Sequence, residues 1–145
     1  MLTIRKANMQ DAKILHEWRN DEATRKSSHN SSEVDYSSHV HWLEKTLSST
    51  SRVLLIAESD GIPVGTARVD FESQSCAELS WTISPEQRGK GFAKAMMAIV
   101  SDKYKANLTL RAEVKEGNIA SVAVAQHIGM TELEKKNGVI YFSLS

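Results

Sequence analysis

SPEQRGKGFAKAMMAIV, residues 84–100, is the stretch on which the fold turns. Pro85 ends the segment before it, a polar turn with two glycines follows, and an apolar helix begins at once, with Phe92, Met96, Ile99 and Val100 on one face. At a helix start, consecutive N–H groups lack intrahelical partners and the aligned peptide dipoles favour negative charge. Gly89 and Gly91 put no Cβ between that backbone and a ligand, and Arg88 and Lys90 add positive charge beside it. A diphosphate is the anion that uses several such donors together. The stretch lacks the third glycine of G-x-G-x-x-G, and Gly65 is too remote to complete G-x-x-x-x-G-K-S/T. Neither the dinucleotide fingerprint nor the P-loop accounts for it.

Outward from this stretch the pattern alternates strands and helices. Immediately upstream, CAELSWTIS sets Leu79, Trp81 and Ile83 against Glu78, Ser80, Thr82 and Ser84, the period of a strand with two unlike faces. Before it, RVLLIAES and IPVGTARVDF read as an antiparallel hairpin turned at Asp60-Gly61. Downstream, NLTLRAEV is a strand and NIASVAVAQHIG a helix, with Asn118 as N-cap and Gly129 as its stop. MTELEKK and GVIYFSLS close the chain as a hairpin around Asn137-Gly138. Near the start, Leu2 and Ile4 suit a short strand, and a helix beginning at Asn8 or Met9 carries Ile14, Leu15 and Trp18. HVHWLEKTL is a second helix, with Val40, Leu43 and Leu47 as its stripe. Ser-rich Thr24–Ser38 between them is expected as a loop or broken helix. The order β-α-α-β-β-β-α-β-α-β-β predicts a mixed sheet with four helices and shows no internal repeat.

Bulk properties narrow the function. A chain of 145 residues with 18 Lys+Arg against 18 Asp+Glu is expected to be a single domain spanning residues 1–145. The balanced charge gives no field for nonspecific binding to nucleic acid or an anionic membrane, so any anion needs a local site. One cysteine, Cys76, cannot form an internal disulfide, and no Cys/His cluster at ligand spacing accompanies it. No metal is expected, and the cytoplasm is the expected compartment. No run approaches the roughly 20 apolar residues of a membrane span.

With these elements in place, RGKGFA, residues 88–93, resembles the R/Q-x-x-G-x-G/A motif of the GNAT family of N-acetyltransferases. NIASVAVAQHIGM, residues 118–130, is similar to that family's N-x-x-A/S-x-x-x-Y/A/F-x-x-x-G-F/M segment. The family's element order is the one just read, over nearly the whole chain. The resemblance implies a GNAT fold, α/β (α+β) in class, with a mixed, mostly antiparallel sheet of about seven strands splayed between the fourth and fifth. It also implies acetyl-CoA as cofactor, bound through Arg88, Gly89, Lys90, Gly91, Phe92, Ala93, main-chain groups near Ile83, and Asn118. The acetyl carbonyl would then lie near a fixed backbone N–H while an amine attacks directly, with no covalent enzyme intermediate.

Catalytic and acceptor residues follow from the same comparison. Glu78, on the strand that carries Ile83, is the candidate general base. Ala125 stands where many relatives have an acidic tyrosine, which leaves Ser121, Tyr141 or water to protonate the thiolate. HEWRND with Arg25, then HVHWL, resembles the W-R-N-D-x-x-x-R and H-x-x-W-L/F pattern of members that acetylate amino sugars linked to nucleotides. That nominates Arg19, Asn20, Arg25 and His39 for the acceptor. Two guanidiniums suit phosphate or carboxylate, whereas Trp18 and Trp42 are spaced as core residues. A small-molecule amine, with an amino sugar linked to a nucleotide favoured, is the expected substrate. A protein or peptide N-terminus is the alternative, and a non-catalytic acyl-CoA-binding module a further one. The family admits a monomer or homodimer.

Overall fold

The computed structural model describes residues 1–145. Its strands are β1 (Leu2–Lys6), β2 (Arg52–Ser59), β3 (Ile62–Phe71), β4 (Cys76–Ile83), β5 (Thr109–Lys115), β6 (Thr131–Lys136) and β7 (Val139–Leu144). Its helices are α1 (Ala12–Asn20), α2 (Glu22–Ser27), α3 (Tyr36–Ser48), α4 (Phe92–Tyr104) and α5 (Ile119–His127). The strands form one sheet in the order β1-β2-β3-β4-β5-β7-β6. Every junction is antiparallel except β4–β5, which is parallel. No helix is long and apolar enough to cross a membrane.

Local chemistry explains the element ends. Both hairpin turns have successive residues with positive φ, Asp60 and Gly61 at 52° and 81° and Asn137 and Gly138 at 52° and 78°, the geometry whose twist matches paired strands. Asn8 is a cap, as its position suggests, but the turn it opens is a short 3-10 segment, Met9–Asp11, and α1 starts only at Ala12. The fifth helix, α2, is a correction to the expected four. Asp21 accepts the Thr24 N–H at 3.1 Å and Lys26 pairs with Glu22 at 3.2 Å, so local contacts hold six residues helical that are too few to show a period.

The sheet's alternation sorts the core into two layers. Leu55 and Ala57 of β2 face one side, with Ala67, Val69, Leu79, Leu110 and Phe142, against Met96, Met97 and Val100 of α4. Leu54 and Ile56 face the other, against Leu15 and Trp18 of α1 and Leu43 of α3. Each of the larger aliphatic, methionine and phenylalanine side chains contributes about 1.5–3 kcal/mol when fully buried. The buried face of α4 is rotated from the one expected: Met97 is fully buried, while Ile99 is 43% exposed. Trp18 is core, as expected, and Trp42 packs at the edge of the same cluster.

The β4–β5 junction is brief. Only Cys76/Thr109, Ala77/Leu110 and Glu78/Arg111 pair, after which β4 runs on to Ile83 and β5 to Lys115 without meeting. This is the splay between the fourth and fifth strands. On the other edge of β4, Gly65 pairs with Ile83. A Cβ at Gly65 would stand 2.7 Å from Ile83 Cδ1 and 2.9 Å from the Thr82 carbonyl oxygen, so only glycine allows β3 and β4 to approach so closely here.

Candidate functional site

The loop from Arg88 to Gly91 delivers the chain from β4 to α4. Gly89 and Gly91 have φ of 78° and 82°, and the space where a Cβ would stand at either is open. Glycine is therefore required by the backbone conformation, and the cleared space lies outside the fold, where a ligand approaches. The main-chain N–H groups from Gly89 to Lys94 donate to no other group of the protein; the first bond of the helix is from Ala95 to the Gly91 carbonyl, at 3.2 Å. Six consecutive donors thus converge at the positive end of a helix, beside a gap in the sheet, an arrangement whose chemistry suits an anion. Phe92 and Ala93 begin the helix half-buried against the main core. Lys90 donates to Gln87 Oε1 at 3.1 Å. Arg88 donates through Nη2 to Asp21 Oδ2 at 2.7 Å and Thr24 Oγ1 at 3.0 Å.

Glu78 is the last paired residue before the strands part, and its carboxylate makes no hydrogen bond or ion pair. Register sets Asp70 of β3 and Arg111 of β5 beside it, and Glu113 lies two residues further along β5 on the same face. Burial, and then the negative charges of Glu113, Glu72 and Asp70, push the Glu78 carboxyl up to about 7, with Arg68 opposing. A carboxyl titrating there can accept a proton from an ammonium or amine near neutral pH. Asp70 itself is held by Arg68 and Arg52, each 3.1 Å away.

Just past the end of β5, Asn118 caps α5 by accepting the Ser121 N–H at 3.2 Å, which leaves its Nδ2 free. Ser121 is half-buried with an unpaired hydroxyl, whereas Ala125 is fully buried in the core. Tyr141 of β7 is half-buried opposite Glu113. The splay thus begins at Glu78, with Glu113 beside it on β5 and Ile83 five residues further along β4 at the strand's end, and Glu113 is a residue the sequence pattern did not single out.

The expected acceptor residues divide. Asn20 donates to the Val34 carbonyl at 2.7 Å and accepts the Val34 N–H at 2.8 Å, so its amide staples the segment before α3 onto α1. His39 is 4% exposed and stacks between His16 and Trp42, each ring 5.4 Å away. Burial, then His16 and Arg19, lowers it to about 4, so the ring is neutral. The His39 ring is thus enclosed within the helical layer, and the half-buried Asn20 amide is engaged with Val34. His16, which the sequence left without a role, lies 2.6 Å from the Val34 carbonyl oxygen. Arg19 donates to the Asn30 carbonyl at 2.7 Å, and Arg25 donates to the Asn20 carbonyl at 3.1 Å while lying 3.9 Å from Glu33. Both guanidiniums are half-buried at one corner of the helical layer.

Comparison with known proteins gives the same architecture. Residues 1–131 match the family model described as an acetyltransferase (GNAT) domain. The structure is similar to spermidine N-acetyltransferase from Vibrio cholerae in complex with CoA and spermine, at a TM-score of 0.86 and 18% identity over 99% of this chain and 94% of that one. It resembles the aminoglycoside acetyltransferase AAC(6')-Ib in complex with coenzyme A, at 0.82 and 15% over 100% and 95% of the chains. The yncA protein of Salmonella typhimurium with its cofactor acetyl-CoA aligns at 0.78 and 21% over 99% and 92%. At these identities the likeness is one of fold. No curated protein sequence matches the chain.

Proposed function

The chain belongs to the GNAT acetyltransferase family, and from that premise we propose that it is a single-domain enzyme that uses acetyl-CoA to acetylate the primary amine of a small molecule. The observation that carries this reading is the run of unpartnered N–H groups from Gly89 to Lys94 beside the open β4–β5 junction. Acetyl-CoA supplies an activated acetyl thioester. The Gly89–Lys94 amides bind its diphosphate, assisted by the charge of Arg88 and Lys90. The unpaired edge of β4 up to Ile83 offers main-chain groups to the pantetheine arm, and Asn118 Nδ2 a further donor. Glu78 accepts the proton that the amine gives up as the new C–N bond forms, and Ser121 or a water beside it donates a proton to the departing sulfur. Holding both partners in one opening supplies much of the rate.

For the acceptor, the charges on this face point to a molecule with an amine at one end and an anion at the other. Glu78 and Glu113 draw the amine, while Arg19 and Arg25 suit a phosphate or carboxylate. An amino sugar linked to a nucleotide has that form and is the favoured acceptor. Asn20 and His39 contribute by fixing the helices that carry the arginines. A specific observation favours a second reading: the carboxylates around Glu78 would equally attract a polyamine, the class named for one structural relative. A panel of nucleotide-linked amino sugars, polyamines, aminoglycosides and peptides with free N-termini, read by thiol release, decides between them. Turnover only with anionic amines supports the first reading, turnover only with polycations the second, and turnover only with peptides overturns both.

A further inference from the structure

Arg88 joins two parts of the molecule far apart in sequence. Its Nη2 makes both of its bonds, to Asp21 Oδ2 at 2.7 Å and Thr24 Oγ1 at 3.0 Å, and Nη1 and Nε have no partner. A guanidinium is a rigid planar fork, so fixing one edge sets the direction of the remaining donors. Asp21 is fixed in turn: its Oδ2 also accepts the Thr24 N–H at 3.1 Å and the Thr24 hydroxyl at 3.3 Å, making it the N-cap of α2. Beyond α2 the chain reaches the acceptor face of the splay. Lys115 of β5 donates to the Lys26 carbonyl at 3.1 Å, and His29 lies 3.3 Å from Glu113, the carboxylate beside Glu78. A chain of contacts therefore runs from the Gly89 loop through Arg88 and Asp21 into α2 and across to Glu113.

We propose that Asp21 is a positioning residue: it aims the free donors of Arg88 at the coenzyme's diphosphate and transmits coenzyme binding to α2 and, through Lys26 and His29, to β5. This rests on the assignment of the Gly89–Lys94 loop to acetyl-CoA. The linkage is reciprocal, because whatever α2 gains from the bound coenzyme the coenzyme gains from an ordered α2.

Asp21→Asn is the informative variant, because asparagine keeps the helix cap while removing the charge that holds Arg88; circular dichroism melting checks that it folds. Acetyl-CoA binding is measured by calorimetry for wild type, Asp21→Asn, Arg88→Gln and the double variant, and amide hydrogen exchange is followed over residues 22–28 with and without acetyl-CoA. Asp21→Asn should weaken acetyl-CoA about three- to tenfold, as expected for a partly exposed charged pair. The double variant should bind no worse than Arg88→Gln alone. Acetyl-CoA should slow exchange over residues 22–28 in wild type and leave it unchanged in Asp21→Asn. Wild-type affinity in Asp21→Asn, additive losses in the double variant, or equal protection in both proteins overturns the role of Asp21 and leaves the loop assignment standing. Failure of wild type to bind acetyl-CoA overturns both.

Discussion

Replacing Glu78 by glutamine tests the chemistry most directly. With its carboxyl at about 7, Glu78 is about one-tenth ionised at pH 6 and about nine-tenths at pH 8. The acceptor amine has its own pH dependence, but that is common to wild type and variant. The ratio of their kcat/KM values therefore isolates Glu78. It should climb about tenfold between pH 6 and pH 8, then level at the roughly 100-fold or more expected of a general base. Glu113→Gln removes the largest charge contribution to this elevation, so the climb should move to lower pH. Unfolding provides a second measurement that needs no acceptor. The folded carboxyl lies above its ordinary value near 4.5, so the native state holds the extra proton and loses stability as pH rises from about 4.5 to about 7. The full elevation corresponds to at most about 3 kcal/mol, and solvent at this half-buried group reduces it to the order of 1 kcal/mol. Glu78→Gln should therefore be more stable than wild type at pH 8 and equal to it at pH 4 by urea titration. A wild-type to variant rate ratio that is flat with pH would refute the assignment of Glu78 as base.

Three further substitutions separate the roles of glycine and loop. Gly91→Ala meets no neighbour but must hold a φ of 82°; it should cost roughly 1 kcal/mol in stability yet weaken acetyl-CoA at least tenfold by calorimetry, because its methyl enters the space before the free amides. Gly65→Ala collides with the Thr82 carbonyl and Ile83 and should destabilise the fold by about 1–3 kcal/mol in chemical denaturation, with acetyl-CoA affinity falling as β4 shifts. Asn20→Ala removes both bonds to Val34 and should cost about 2 kcal/mol, with limited proteolysis moving to the segment before α3.

Much of this architecture was legible because it is written locally. Asp60-Gly61 and Asn137-Gly138 require positive φ and so announce their turns, Asn118 caps through its neighbour Ser121, and the glycines of the Gly89 loop precede an apolar helix. What escaped is set by contacts distant in sequence. The face of α4 is chosen by where it lands on the sheet, so Met97 is buried in place of Ile99. Helix α2 is too short for a period and depends on its cap. The length of the β4–β5 pairing, the closeness of Glu113 to Glu78, and the tie from Arg88 to Asp21 all join residues that no spacing rule relates. The surroundings of Asn20 and His39 were equally invisible: the Asn20 amide is tied to Val34 and the His39 ring lies between His16 and Trp42.

The brevity of the β4–β5 junction has a consequence for how long the protein survives. Only three residue pairs stitch the two wings of the sheet, fewer than at any other junction, so main-chain hydrogen bonding contributes least to holding this seam closed. A coenzyme arm lying along that seam would stabilise the closed form in proportion to the logarithm of its concentration. Turnover of the polypeptide would then follow the supply of its acyl donor, with scarcity shortening its lifetime.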